Sequence, residues 1–161
     1  MKNTIIITFI ILLLVSCQYK QEYELTFFKW NIHEDYFLKV NSSDTIYLVF
    51  ENPIRNETMF AIIENEDKQK LEDLVTNISF PKQKDFSNNV DDGLTYAFVY
   101  KTQHHNKKLS IHAKAGPKEF WKLGSYLENL KSKYKFKSIN KKVNLKEIKE
   151  LIMIPFPPKY K

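Results

Sequence analysis

The chain has 161 residues, of which 43% are hydrophobic and 14% aromatic, and its formal net charge is +6. Such a composition is typical of a packed globular domain and excludes an intrinsically disordered chain. The single cysteine, Cys17, excludes a fold held together by internal disulfide bonds.

The first seventeen residues have the organisation of an export signal. Lys2 is the only charged residue before Cys17, and residues 5–15 form a run of eleven mostly apolar side chains. As a helix this run would be about 16 Å long, against about 30 Å of bilayer hydrocarbon. The run is therefore too short for a permanent transmembrane span and predicts a secretory signal.

The end of this run, Leu14-Val15-Ser16-Cys17, resembles the lipobox of bacterial lipoproteins. The resemblance implies that the Cys17 thiol, whose thiolate is a good nucleophile, receives a diacylglycerol group. It also implies cleavage between Ser16 and Cys17 and acylation of the new amino terminus. Gln18 stands where an aspartate would retain a lipoprotein at the inner membrane, which favours the outer membrane. The alternative is an ordinary signal peptide, or an N-terminal membrane helix, with an incidental cysteine.

These features divide the chain into three parts. Residues 1–16 are predicted to be a cleaved lipoprotein signal peptide, and residues 17–22 the lipidated amino terminus with a short tether. Residues 23–161 are predicted to be a single globular domain, which is long enough to bury a substantial hydrophobic core.

The first part of the domain is rich in β-branched and aromatic residues. Four strands are predicted, at residues 23–30, 33–40, 45–51 and 58–63. Asn65 is the predicted cap of a helix with one apolar stripe that ends near residue 77. A loop of about fourteen residues, 79–92, follows this helix.

The second part begins with a predicted β-hairpin formed by residues 94–102 and 107–114. Gly116-Pro117 opens the clearest amphipathic helix of the chain, with proline at the first helical position. Asn144 and Glu147 form a predicted capping box for a short helix near the carboxyl end. An extended proline-rich tail follows.

The order of elements, ββββαββα plus a short C-terminal helix, predicts an α+β fold. We expect an antiparallel sheet of about six strands with two or three helices packed on one face. This order, with Asp91-Asp92-Gly93 before the hairpin and Gly116-Pro117-Lys118-Glu119-Phe120 after it, resembles small uncharacterised domains of bacterial lipoproteins. The resemblance implies no particular activity.

Charge is unevenly distributed along the chain. Residues 18–100 contain 8 basic and 15 acidic residues, whereas residues 101–161 contain 16 basic and 4 acidic residues. Arg55 is the sole arginine, which argues against nucleic acid as a partner, because bidentate recognition of phosphates and bases favours arginine. The basic half is interpreted either as a solvated lysine surface or as a surface attracted to anionic lipid or envelope phosphates.

No metal or cofactor is predicted. His104 and His105 are adjacent, so on a strand they point to opposite faces and do not readily ligate one metal. If the turn of the hairpin is His105-Asn106, His112 pairs near Val99, several rungs away. Asp91-Asp92-Gly93 lacks the spacing of oxygen ligands that a calcium loop requires.

Catalytic residues are not predicted either. The sequence places no partner for general acid–base catalysis beside any of four candidate carboxylates, which are Glu22, Glu24, Glu34 and Asp35. The chain has no glycine-rich phosphate loop, nucleophile elbow or zinc-binding helix motif. Trp121 and Tyr126 are interpreted as widening the apolar stripe of their helix rather than as a binding patch.

The sequence therefore predicts an exported lipoprotein, anchored in a membrane of the cell envelope and facing the periplasm or the surface. Its domain is expected to be a non-enzymatic binding module. The expected partners are the lipid bilayer, through acylated Cys17, and an envelope protein or an anionic envelope component. Two alternatives stay open: an inhibitor- or immunity-type protein that inserts residues 103–107 into an envelope enzyme, and a small envelope hydrolase.

Overall fold

The computed structural model describes residues 22–88 and 93–152, so that Ser16, Cys17 and the proline-rich tail lie outside the described residues. Within this part of the chain, eight strands form one sheet. They are β1 Tyr23–Trp30, β2 Asp35–Asn41, β3 Thr45–Glu51, β4 Asn56–Ile62, β5 Asp85–Phe86, β6 Thr95–Thr102, β7 Asn106–His112 and β8 Lys137–Ser138. Their spatial order is β5-β7-β6-β1-β2-β3-β4-β8. Only the β5–β7 pair is parallel among the strand pairs of the described residues.

Three helices accompany the sheet in the described ranges. They are α1 Asn65–Asn77, α2 Lys118–Lys133 and α3 Lys146–Leu151. No helix within residues 22–88 and 93–152 combines the length and the apolar character that crossing a membrane requires.

The central strands are apolar on both faces, because large side chains occupy consecutive positions as well as alternating ones. On β1, Leu25 and Phe27 point to one face and Phe28 points to the other. A sheet that is apolar on both faces requires a cover on each side to keep these side chains from water.

The first face is covered by α1 and α2. The amphipathic spacing of α2 brings Phe120, Leu123, Leu127 and Leu130 onto the sheet, and each is at most 1% exposed. Helix α1 adds two buried side chains to the same cluster. The predicted apolar stripe of α2 is therefore confirmed as the centre of the main core.

The second face is covered by α3. Leu145, Ile148 and Ile152 pack against a separate buried cluster that includes Phe28 and Val99. The prediction of an α+β fold with a largely antiparallel sheet is confirmed, but the prediction that the helices share one face is wrong for α3. The reason is the apolar second face of β1 and β6, which the short C-terminal helix shields.

The sheet also has more strands than the predicted six. The two additional strands, β5 and β8, are two residues long and extend the sheet at its edges, where β5 pairs with β7 and β8 pairs with β4. Strands this short carry no alternating pattern of their own. Pairing with a neighbouring strand is what holds them extended.

The starts of the three helices differ in detail from the predictions. Glu64, not Asn65, precedes the first residue of α1, and its side chain makes no capping hydrogen bond. Pro117 likewise precedes α2 instead of occupying its first position. The Asn144 side chain accepts a hydrogen bond from the backbone N–H of Lys146 at 3.1 Å. The Glu147 carboxylate does not complete a capping box, because it contacts the sheet instead.

Candidate functional site

The register of the sheet places two of its turns side by side. The β1–β2 hairpin closes after Trp30, and the β3–β4 hairpin closes at the same end of the sheet. A hydrogen bond of 2.9 Å from Asn52 Nδ2 to Asp35 Oδ1 joins the two hairpins. Residues 31–34 and 52–55 are named the paired turns below, and this end of the sheet is named the Trp30 end.

The second of the paired turns is locked by its asparagine. The backbone N–H of Asn52 donates to the carbonyl of Arg55 at 3.0 Å, and the N–H of Arg55 donates back at 3.1 Å. The Oδ1 atom of Asn52 also accepts from the N–H groups of Ile54 and Arg55, at 3.1 and 2.7 Å. Pro53 restricts the backbone further through its fixed φ. The Ile54 side chain, at the tip of this rigid turn, is 97% exposed.

The first of the paired turns is also held by the backbone and side chain of an asparagine. The N–H of Asn31 donates to the carbonyl of Glu34 at 3.0 Å, and Asn31 Oδ1 accepts from the N–H groups of His33 and Glu34 at 2.9 and 2.8 Å. These bonds explain why β2 begins at residue 35 and not at the predicted residue 33. Ile32 in this turn is 60% exposed.

A groove of about 510 Å³ lies between the paired turns. Ile32 and Ile54 line it together with Trp30 and the buried ring of Phe50. Isolated exposed aliphatic side chains are common on protein surfaces, but two of them at one groove with aromatic walls form an apolar patch that favours a protein partner.

The charged groups at the rim of this groove already have partners. The Arg55 guanidinium lies 3.7 Å from the centre of the Phe50 ring and donates from Nε and Nη2 to Glu57 Oε2 at 3.1 and 3.0 Å. Hydrogen bonds from Ser138 and then from Arg55 lower the pKa of Glu57. Arg55 and Glu57 are therefore engaged with each other, and the distinctive feature of this groove is its apolar side chains.

An ionic cluster of Lys29, Glu34, Glu128 and Lys131 lies beside the first of the paired turns. Lys29 Nζ lies 3.0 Å from Glu34 Oε2 and 2.6 Å from Glu128 Oε1, and Lys131 forms an ion pair with Glu34. Burial opposes ionisation of Glu34, but hydrogen bonds from Lys131 and Lys29 outweigh it and lower the pKa of this carboxyl. A general acid for hydrolysis would need a raised carboxyl pKa. The geometry of this cluster is therefore that of a structural tie between α2 and the sheet.

The other carboxylates considered in the sequence are dispersed. Glu24 pairs with Lys39 at 2.9 Å, and Asp35 accepts from the Asn52 amide at the Trp30 end. Glu22 is exposed at the opposite end of β1. The structure does not bring these groups together as an acid–base pair.

The histidines are also separated. The N–H of Thr102 donates to the carbonyl of His105 at 2.8 Å, so the two-residue turn is Gln103-His104 and the conditional turn His105-Asn106 is wrong. Consequently His112 pairs with Thr95, not near Val99. Within residues 22–88 and 93–152, no three His, Cys, Asp or Glu side chains are grouped so as to hold a metal ion. Asp91 and Asp92 lie outside the described residues.

Trp121 and Tyr126 pack as parts of the fold. The Trp121 ring lies 5.1 Å from that of Tyr96, and its Nε1 donates to the carbonyl of Ala115 at 2.8 Å. The Tyr126 hydroxyl donates to the backbone carbonyl of Asp67 at 3.0 Å, which joins α2 to α1. Both rings are partly buried against the main core, as the sequence predicts.

The chain matches no protein-family model, and comparison with curated proteins and with solved structures finds no significant match. The candidate site therefore rests on its own geometry. Sequence reasoning missed Ile32 and Ile54. The available signal was an asparagine followed within two residues by an isoleucine, in each of two short links between strands.

Proposed function

We propose that the protein is a membrane-anchored lipoprotein of the cell envelope whose domain binds a partner protein through the paired turns. The observation that carries the proposal is the presentation of Ile54. Its side chain is almost fully exposed, while four hydrogen bonds that involve Asn52 hold its backbone in place. The lipobox resemblance of Leu14-Val15-Ser16-Cys17 supports the anchor.

Rigidity favours binding because little conformational entropy is lost when the turn is immobilised in a complex. The expected partner surface is an apolar pocket that receives Ile54, with the rest of the groove excluding water around it. Since Arg55, Glu34 and Asp35 already have intramolecular partners, they are expected to form the polar rim of the interface.

An inhibitor- or immunity-type role is the second candidate function. A rigid turn with an exposed aliphatic tip is suited to insertion into the cleft of an envelope enzyme. The inserted element would then be residues 52–55 at the Trp30 end, and not residues 103–107, which comprise the two-residue turn Gln103-His104, His105 and the start of β7 at the opposite end. Glu34 and Glu128 do not support a hydrolase, because lysines engage both carboxylates.

Photocrosslinking tests the proposed binding surface. A photoreactive side chain at position 54 of the full chain, expressed in its own envelope, should crosslink to a discrete protein, whereas the same group at position 62 should not. Ile62 is the matched control because it is 60% exposed and ends β4 at the other end of the sheet.

The affinity of the crosslinked protein, once purified, completes the test. Ile54→Asp should weaken its binding by at least about tenfold, and Ile32→Asp should weaken it too. Ile62→Asp should leave the affinity unchanged. Equal binding by the Ile54→Asp and Ile62→Asp variants would refute the paired turns as the binding surface. If the partner were an enzyme and its activity fell on binding, the inhibitor-type role would be favoured.

A further inference from the structure

Helix α3 ends nearer the Trp30 end of the sheet than it begins. Leu145, which precedes the helix, lines a small crevice with Thr26 and Val99, in the middle of β1 and β6. In the last turn of the helix, Lys149 forms an ion pair with Glu51. Because Glu51 is the last residue of β3 at the Trp30 end, α3 runs towards the paired turns.

Ile152 connects the end of α3 to the wall of the groove between the paired turns. Its side chain is 8% exposed and belongs to the buried cluster that contains Phe28 and Val49. Trp30, which lines the groove, packs against the same cluster. The proline-rich tail, residues 153–161, therefore starts from the cluster that supports the groove.

The composition of the tail is that of a segment recognised by aromatic grooves. It reads Met-Ile-Pro-Phe-Pro-Pro-Lys-Tyr-Lys and contains three of the six prolines of the chain. Pro155 and Pro158 have the spacing of a PxxP motif, which favours the polyproline II conformation. Such segments bind grooves with aromatic walls, because a conformation that is already extended loses little entropy on binding.

The groove has the walls that such a segment requires. Trp30 and Phe50 form its aromatic walls, and the exposed Ile32 and Ile54 lie along it. Its volume of about 510 Å³ lies within the range of ligand-binding clefts, about 300–1,000 Å³.

Charge complements this fit. The tail carries Lys159 and Lys161 and no carboxylate side chain. Asp35 lines the groove and accepts a hydrogen bond from the Asn52 amide, but it forms no ion pair within residues 22–88 and 93–152. The Asp35 carboxylate can therefore pair with a lysine of the tail.

We infer that the proline-rich tail occupies the groove between the paired turns of its own chain, with Phe156 as the side chain that fills it. Phe156 is four residues beyond Ile152, a reach of at most about 14 Å. This reach is about twice the rise from Phe28 to Trp30 along β1. A tethered segment also has a high effective concentration at a groove on its own chain.

The inference extends the proposed function, on which it rests for the groove as a binding surface. A partner protein would have to displace the tail before it contacts Ile32 and Ile54. Its apparent affinity is then reduced by the fraction of chains in which the groove is filled. The tail thereby regulates access to the paired turns.

Photocrosslinking within the full chain tests the occupant. A photoreactive phenylalanine analogue at position 156 keeps an aromatic side chain in the tail. In protein purified in detergent, without a partner, its crosslinks should fall mainly on peptides that contain residues 30–35 or 50–55. Ile54→Asp should lower their yield about fivefold, because it places a charge against an apolar side chain. Ile62→Asp, at an exposed position of the other end of β4, should leave the yield unchanged.

An equal mixture of ¹⁵N-labelled and unlabelled protein identifies the chain that supplies the tail. The crosslinked peptides should each carry one isotope throughout, because the tail and the groove belong to one chain. Peptides that combine both isotopes as the main product would show that the tail of a second copy fills the groove, and would overturn the inference.

The two tryptophans of the chain provide a second measurement. With 5-fluorotryptophan at both positions, Phe156→Ala should shift the fluorine resonance of Trp30. The resonance of Trp121 should stay in place and show that the fold is intact, since Trp121 packs on Tyr96 outside the groove. A Trp30 resonance that does not respond to Phe156→Ala would contradict the inference.

The inference and the proposed function fail separately. Crosslinks from position 156 that avoid both turns would overturn the inference, even if Ile54→Asp still weakened the binding of a captured partner. Crosslinks to the groove, in a chain whose position 54 captures no partner in the envelope, would support the tail as occupant and refute the proposed function.

Discussion

Gly124 on α2 lies directly against the aromatic ring of Tyr96 on β6. A Cβ atom at position 124 would overlap two ring carbons and lie 3.0 Å from the Cγ atom of Tyr96. One turn farther along α2, Glu128 accepts a hydrogen bond from the hydroxyl of the same tyrosine. The close approach of helix and sheet at Gly124 is what brings these two groups together.

This contact predicts whether replacing Gly124 raises or lowers the stability of the domain. Gly124→Ala should destabilise the domain by about 2 kcal/mol, because the Tyr96 ring must move within a packed core. In an exposed helix the same change would stabilise by about 1 kcal/mol. Urea unfolding provides the measurement, with the exposed Asn129→Ala as control. The control substitution should leave the free energy of unfolding unchanged or raise it slightly. A stabilised Gly124→Ala variant would contradict the contact.

The ionic cluster beside the first of the paired turns predicts that replacing Lys29 strongly lowers the stability of the domain. Its side chain is 13% exposed and contacts both Glu34 and Glu128. Lys29→Met should cost about 3 kcal/mol, because two carboxylates are then left with one lysine in a partly buried site. The exposed Lys122→Met should cost little.

A double-mutant cycle identifies the source of that cost. If the loss arises from the Lys29–Glu128 contact, the Lys29→Met/Glu128→Gln pair should be more stable than the sum of the single effects. Strict additivity of the two substitutions would show that the contact carries no coupling energy.

The attachment of α3 is expected to depend on pH through Glu147. Hydrogen bonds from Lys101 and Asn106 lower the pKa of this carboxyl to about 2. Because its folded pKa lies below the ordinary value of 4.5, Glu147 stabilises the fold above about pH 4.5. This contribution is lost as the pH falls from about 4.5 to about 2.

Glu147→Gln should therefore lower the free energy of unfolding by about 1 kcal/mol near neutral pH, and by much less near pH 2. Faster hydrogen exchange in α3 at neutral pH should accompany the loss. Glu150→Gln is the matched control, since Glu150 is exposed and lies 4.0 Å from Lys146 within the same helix. An equal effect of Glu147→Gln at both pH values would refute the role of its charge.

The proposed anchor predicts the outcome of metabolic labelling with palmitate. The wild-type protein should incorporate label, and Cys17→Ser should abolish incorporation and leave an uncleaved precursor, because Cys17 is the only cysteine of the chain. Ser16→Ala keeps a small residue before the cysteine and should retain labelling. Unchanged labelling of Cys17→Ser, or a mature protein that begins at another residue, would contradict the lipoprotein proposal.

The sequence was most informative where a pattern extends over several residues. The bounds of β1 and β3 and the end of α1 agree with prediction, because alternating or helical apolar spacing is decided locally. The strong stripe of α2 likewise predicted the main core. The two-residue strands β5 and β8 carry no such pattern, and pairing with β7 and β4 alone makes them extended.

By itself, the sequence determined the α+β class, the central strands and the amphipathic helix, since each depends on the periodicity of apolar residues along the chain. Only the tertiary structure decided which face of the sheet α3 covers, and which two turns lie together at the Trp30 end. The physical reason is that both outcomes depend on contacts between residues far apart in the chain. Asn52 of the β3–β4 hairpin donates a hydrogen bond to Asp35 of the β1–β2 hairpin. Ile148 packs in the same buried cluster as Phe28, although the two residues are far apart in the sequence.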